Sequence, residues 1–518
     1  MKKIVSASLV AAMAMTSVNA SSLTDRLNSL ESEISDLKKK VKKQNKKINK
    51  VKAHDANDNI KWGVDLRTSI ENINYDMAGK DAAGNDSYGK NDLMTMRLWL
   101  NMEFAADNNN IFKGQLSMNK AFGADFGSPK NRNFSLGGQF DWTGNEALTN
   151  NSLKVRQAYW LYLGDKFLGA DIPWTFSVGR RPSTNGFLAN LRDDDAAASP
   201  LAHVINVEFD GLSSKLDLSN ITGVPGMSIK LCMGQGSTNA QPLFTSPTPY
   251  ANGDSSGVED IKLAGFIFEP YNDGQFIVKS TWYKAFDLPG QNMKPDGSPT
   301  GFKQFGDIQG AALSVMVDGL TEEGFFSDTK IFGSFAWSKT QPDNGSSMLG
   351  SSESESGTSY WLGAQIPVTE KGKFGLEFNH GSQYWRPFTY AEDTMIGSKI
   401  AARGDAIEAY FTYQLTDALS AQLRYTKIDY DYTGSNGFFG NFSGNSVKIS
   451  NIKAGAGAFD QMAKAGVIQH QDQAGIVGDL MGAGLTQEQA QGVLMAKGMS
   501  SQVVESAQDL RFYLRYRF

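Results

Sequence analysis

The last nine residues, LRFYLRYRF, constrain the fold more than any other stretch of the chain. Side chains of a strand alternate between two faces. Leu510, Phe512, Leu514, Tyr516 and Phe518 then share one wholly apolar face, while Arg511, Tyr513, Arg515 and Arg517 share the other. Three arginines cannot sit unpaired in a dry core, but they are at ease against water. A wall between lipid and an aqueous lumen needs this division. An edge strand of a soluble β-domain shows the same alternation, so the rest of the chain has to discriminate.

The amino terminus points outward from the cytoplasm. Lys2 and Lys3 precede an apolar run at 4–15, and Val18, Asn19 and Ala20 end on a small residue, so residues 1–20 read as a cleaved secretory signal. Later segments offer nothing near the ~18 consecutive apolar residues of a helical span, which leaves a barrel as the way to cross a bilayer with every backbone group paired. Hydrophobic residues make up 40%, aromatics 11%, and glycines number 53 of 518, a mixture suited to strands and turns. Lone Cys232 forbids an internal disulfide, and His54, His203, His380 and His470 are scattered. No metal or other cofactor is expected, and nothing points to nucleic acid.

Residues 21–53 carry a heptad seam: Leu23, Leu27, Leu30, Ile34, Leu37, Val41, Ile48 and Val51, with Gln44 in the vacant position. Dimer and trimer both stay open. Such a helix reaches roughly 45 Å into the periplasm. Acids precede a lysine-rich half, which reads as a solvated surface or as a face for an anionic envelope polymer such as peptidoglycan. Residues 54–59 form a polar linker.

From residue 60 to 518 one pattern repeats: an alternating run, a polar break, another run. The clearest stripe is Met94, Met96, Leu98, Leu100, Met102 and Phe104, facing away from Arg97 and Glu103. The runs number about 16, with 14 or 18 as alternatives, and an even count suits bacterial single-chain barrels. Short and long breaks alternate, as periplasmic turns and external loops do, so both barrel ends are expected on the periplasmic side. Trp62, Trp99, Trp160, Trp174, Trp282, Trp337 and Trp361 are expected in interfacial girdles. The expected fold is thus all-β, a transmembrane antiparallel barrel of about 16 strands preceded by a periplasmic coiled-coil helix.

KWGVDLRTS at 61–69, RQAYW at 156–160, SVGRRPSTNGFLANLR at 177–192 and the terminal LRFYLRYRF together resemble a porin-like outer-membrane family of unknown function, found mainly in epsilonproteobacteria. The terminal strand itself resembles the assembly signal of outer-membrane barrels. These resemblances imply the cell outer membrane, lipid and lipopolysaccharide around the barrel, the barrel assembly machinery acting on residues 510–518, and a homo-oligomer, as a trimer. They bring no catalytic residues.

The face opposite the apolar one would line a pore. It offers Arg67, Arg97, Lys113, Arg156, Lys230, Lys279, Lys330, Arg424, Arg511 and Arg515, with Lys61, Lys154, Lys262, Lys373 and Arg517, against Asp65, Glu103, Glu208, Glu377 and Glu408. A basic lumen in a low-dielectric wall concentrates anions, unless carboxylates pair with it. The break at 180–203 holds Arg180, Arg181, Arg192, Asp193, Asp194 and Asp195. By position it is expected to fold inward as a constriction, its aspartates facing Arg97, Arg156 and Arg424; a surface Ca²⁺ site and a solvated loop are the alternatives. The last break, 432–506, is too long for a simple loop. Helices are expected at 459–467 and 486–497, the second capped by Thr486 and Gln489, forming a cap or plug.

The function expected is passive diffusion of small polar, or anionic, solutes through a porin-like channel. A tether between outer membrane and cell wall is the structural alternative. A hydrolase is the enzymatic one, but neither His203 nor His380 sits in a catalytic motif, so no enzyme activity is expected.

Overall fold

The computed structural model describes residues 60–124, 148–238, 240, 260–293, 299–321, 324, 326–389, 394–435 and 444–518. The expected signal, coiled coil and linker lie outside the described residues.

Alternating runs form sixteen long strands: β1 (Lys61–Met77), β2 (Ser87–Ala105), β3 (Asn110–Ala121), β4 (Lys154–Gly164), β5 (Trp174–Ser183), β6 (Ile205–Asp217), β7 (Ser228–Ser237), β8 (Ile261–Asn272), β9 (Phe276–Met293), β10 (Pro299–Asp318), β11 (Lys330–Pro342), β12 (Ser356–Pro367), β13 (Gly372–Gly381), β14 (Gly404–Gln414), β15 (Leu419–Tyr430) and β16 (Val504–Arg517). The main sheet has 17 members, and setting aside the two-residue strand Phe388–Thr389 leaves sixteen. Successive strands are neighbours. β16 returns to pair antiparallel with β1, from Asp65↔Arg517 to Met77↔Val504, which closes the sheet and leaves no edge.

The closed sheet is inside out compared with a soluble protein. On β16, Leu510, Phe512, Leu514 and Tyr516 are 40–45% exposed, whereas Arg511, Tyr513 and Arg515 are 1–3% exposed. Leu212, Leu231, Leu313, Phe335, Leu362 and Leu423 continue the apolar exterior around the barrel, while Ser213, Ser314, Ser334, Ser359 and Gln422 are buried within. Water would penalise such a surface; a hydrocarbon surround stabilises it.

Three differences from the sequence reading stand out. Two breaks of the long set, 78–86 and 294–298, are no longer than the short ones, because their flanking strands run on as longer hairpins. The interfacial placement fails for Trp99 and Trp361, which are buried inside, while Trp62 and Trp160 are exposed on the outside. Trp99 shares strand parity with Arg97, and their contact is a cation–π one: the guanidinium lies 3.5 Å from the ring centroid. The third difference is in the last long break, which contains three helices rather than two: α1 (Ile449–Lys464), α2 (Gln473–Gly482) and α3 (Gln487–Ser500). The Thr486–Gln489 capping box opens α3 as its sequence specifies. The start of α1 was hidden in a small-residue run, yet Ile449, Ile452 and Ala456 bury one face at helical spacing.

Candidate functional site

Two links between strands fold into the barrel. The first, 184–204, joins β5 to β6. It starts with a two-residue strand, Gly186–Phe187, paired in parallel with Ala198–Leu201, and turns through a 3₁₀ segment at Ala189–Asp193. Gly186 is required there, since a Cβ would lie 2.4 Å from the Pro200 carbonyl oxygen. Leu188, fully buried, sits at φ 81°, a conformation that costs a non-glycine residue about 1–3 kcal/mol and persists only where surroundings enforce it. Phe187, Leu188 and Leu201 enforce it by packing into an apolar core with Tyr283, Phe332 and Trp361 of the wall.

The tip of this link reaches the opposite wall. Arg424 donates to Asp193 Oδ1 at 2.7 Å and the Tyr513 hydroxyl donates to the same oxygen at 2.9 Å. Lys373 Nζ lies 2.7 Å from Asp194 Oδ1. Arg515 and Arg517 each donate to Asp195 Oδ1 at 2.8 Å. Gln365 and Gln422 donate to the Leu191 and Arg192 carbonyls at 2.8 and 2.6 Å. Arg192 itself reaches Glu408 at 3.3 Å.

The second link, 382–403, meets the first where the Phe388 amide donates to the Val204 carbonyl at 2.8 Å. Phe388–Thr389 pairs in parallel with Ile205 and Asn206. Lys399, 2% exposed, places Nζ 2.6 Å from Glu377 and 2.5 Å from Glu408. Glu408 thus receives one cation from each link. Lys399 stands among Ile396, Ile400, Ala401 and Ala402, and that apolar flank was the available signal for an inserted loop.

His203 ends the first link. Its two ring nitrogens meet the hydroxyls of Ser334 and Ser359 at 2.8 and 2.9 Å, and Trp361 and Trp385 stand edge-on to the ring. Complete burial pushes its pKa down to about 3, so the imidazole is neutral. His380 pairs with Asp405 at 2.7 Å and stacks on Tyr360, whose ring is exposed on the outer surface.

The predicted wall residues separate into groups. Arg97 lies 3.6 Å from Asp65, and Arg515 donates to Asp65 at 2.9 Å. Arg67 lies over the Tyr513 ring at 5.4 Å. Arg156 is 2.8 Å from Glu208 and donates to Thr184, where the first link begins, rather than facing the aspartates at its tip. Arg180 also meets Glu208, at 3.0 Å. Arg511 reaches Glu71 at 3.2 Å, Lys113 reaches Glu103 at 3.2 Å and Lys279 reaches Glu269 at 3.2 Å, while Lys330 pairs with Asp318. Arg181 donates to Ser213 at 3.1 Å and lies 4.6 Å from the Tyr159 ring centroid, and Lys230 donates to Ser199 at 2.5 Å. Lys262 is exposed on the outer face.

Among the described residues the wall cations are therefore largely paired with carboxylates rather than open to water. Glu71, Glu269, Asp318 and Asp509 add carboxylates that the sequence reading did not place on the wall, and Arg97, Arg156, Arg424, Arg511 and Arg515 are all at most 6% exposed. The three aspartates engage different cations instead of converging, and among the described residues no group of three or more ligand-type side chains is placed to hold a metal ion.

A closed antiparallel barrel, apolar outside and polar within, with loops folded into its interior, is the architecture of membrane-spanning β-barrel proteins. The chain belongs to the family described as "Protein of unknown function (DUF3373)", which matches residues 88–473. No curated protein matches it in sequence. Among solved structures it is similar to an anion-selective porin from Comamonas acidovorans (11% identity, TM-score 0.45, covering 89% of this chain and 99% of the porin). It is also similar to OprB of Pseudomonas putida (10%, 0.42, 89% and 94%) and to OmpF of Salmonella typhi in complex with daunomycin (11%, 0.42, 90% and 99%). Likenesses this distant transfer no function, and the barrel rests on its own pairing and surface.

Proposed function

We propose that the protein is a porin-like channel of the cell outer membrane for passive diffusion of small polar solutes, anions among them. The observation that carries this reading is the inverted sheet: an apolar exterior around a closed barrel whose interior holds polar side chains and two inserted loops. The rim of long loops faces outward, and residues 1–59 supply the secretory signal and a periplasmic helix. Lipid and lipopolysaccharide surround the barrel, the assembly machinery recognises Leu510, Phe512, Leu514, Tyr516 and Phe518, and the chain assembles as a homotrimer. The inserted loops set the size limit, and the solute passes without chemical change.

A tether between outer membrane and cell wall is the second reading, favoured by the low exposure of the interior arginines. Proteoliposomes separate the two. A channel swells liposomes in isotonic solutions of small sugars and amino acids, faster for the smaller solute. Folded protein that swells them no faster than empty liposomes contradicts the channel.

A further inference from the structure

Sorting the inward cations by partner isolates a small group. The arginines of β15 and β16 are spent on carboxylates: Arg424 on Asp193, Arg511 on Glu71, Arg515 on Asp65 and Asp195. Arg181, Lys215 and Lys230, on β5, β6 and β7, are not. Arg181 has a hydroxyl and a ring, Lys230 has the Ser199 hydroxyl, and none of the three makes an ion pair among the described residues. Lys279, the other cation near Lys230, does have a carboxylate, Glu269 at 3.2 Å.

These three cations are close together. Lys215 and Lys230 are direct cross-strand partners, an arrangement that destabilises a sheet when the charges are alike. Arg181 and Lys215 are charged neighbours of Lys230; Arg181, Ser199, Ser213, Lys230 and Cys232 lie at the edge of a cavity whose lining is otherwise mostly apolar, and Lys215 stands beside it as the cross-strand partner of Lys230. The three are also partly open to water, unlike the nearly dry arginines across the barrel.

We propose that Arg181, Lys215 and Lys230 form a binding site for a small oxyanion, and that this wall sets the anion preference of the pathway. The inference rests on the channel reading and names its solute class. Mutual repulsion among uncompensated cations is relieved by a bound anion, and a guanidinium fork beside an ammonium matches carboxylate or phosphate oxygens. Ser199 accepts from Lys230 and keeps its own hydroxyl proton to donate, which ties the site to the inserted link. Fixing the acids of that link to the far wall neutralises the arginines there and leaves these cations as the ones a solute meets.

Cys232, the single cysteine, lies two residues from Lys230 on the same strand face and reports on the site directly. Folded full-length protein is treated with an anionic and a cationic methanethiosulfonate of similar size. The anionic reagent should modify Cys232 about tenfold faster, the lower end of what a focused field achieves. Inorganic phosphate should slow that reaction, Arg181→Gln and Lys230→Gln should abolish the preference, and Lys230→Arg should retain it, each variant being confirmed as folded by heat-modifiable mobility. Lys262→Gln, on the outer face, should leave it unchanged. Equal rates for the two reagents, no reaction with either, or a preference that survives both glutamine variants overturns the site. Conductance reports the channel separately: a conducting protein without the labelling preference loses only the site, and preferential labelling in a protein that passes no current loses only the channel.

Discussion

His203 is a residue that acts through burial. Two serine hydroxyls satisfy its ring nitrogens, two tryptophans shield it, and protonation has nowhere to place the charge. Its pKa in the folded protein is about 3 against 6.5 when free, so its contribution to stability is complete above about 6.5 and is lost as pH falls toward 3. The slope is about 1.4 kcal/mol per pH unit within that window. Between pH 6.5 and pH 5 the wild-type chain should lose about 2 kcal/mol more than His203→Gln, read from urea unfolding by heat-modifiable mobility. Equal losses contradict the assignment. No motif around His203 marks this role, because both serines lie on strands far along the chain. Trp99 was legible and was misplaced: its parity with Arg97 puts it inside, but the expectation of an aromatic girdle outweighed parity. Glu71 stands on the inner face two alternations beyond Arg67, a place the strand period gives, while its partner Arg511 lies at the far end of the chain.

At the scale of elements, the strands were legible because each alternates over its full length and the apolar stripe is unbroken. The long hairpins run past their apolar stretches into polar ones that resemble loops, since strands that pass the membrane boundary no longer need apolar faces. The break at 180–203 was expected to fold inward from its position and its Arg-Asp run; Asp193 meets Arg424, while Asp194 meets Lys373 and Asp195 meets Arg515 and Arg517. What the order of residues does not show is where the second link lands: its Lys399 finds Glu377 and Glu408 only when the barrel closes. The clasp between links and wall makes a quantitative claim. Removing one partner of a buried pair leaves an uncompensated charge and costs about 3–5 kcal/mol. Asp193→Ala should therefore lower the unfolding midpoint clearly, and Asp193→Ala with Arg424→Ala should be less destabilised than the sum of the single changes. Strict additivity would show that the pair does not carry the clasp.

For the whole molecule, two opposing surfaces define what the protein can be. The exterior requires lipid, and the closed ring of pairs from β1 to β16 requires nothing outside the chain to satisfy its backbone. Inside, one side is an apolar core that the inserted links share with β8 to β12, the other is a lattice of ion pairs, and Arg181, Lys215 and Lys230 of β5 to β7 lie outside that lattice among the described residues. Net charge −5 does not reveal this division, since it sums over loops, helices and wall together. The most direct measurement is single-channel conductance of the refolded full-length protein in a planar bilayer under a KCl gradient. The account predicts small discrete openings with a reversal potential toward chloride, and larger openings once Asp193→Ala frees the first link. Silent bilayers for both folded wild type and folded Asp193→Ala would contradict the claim that this barrel is a channel.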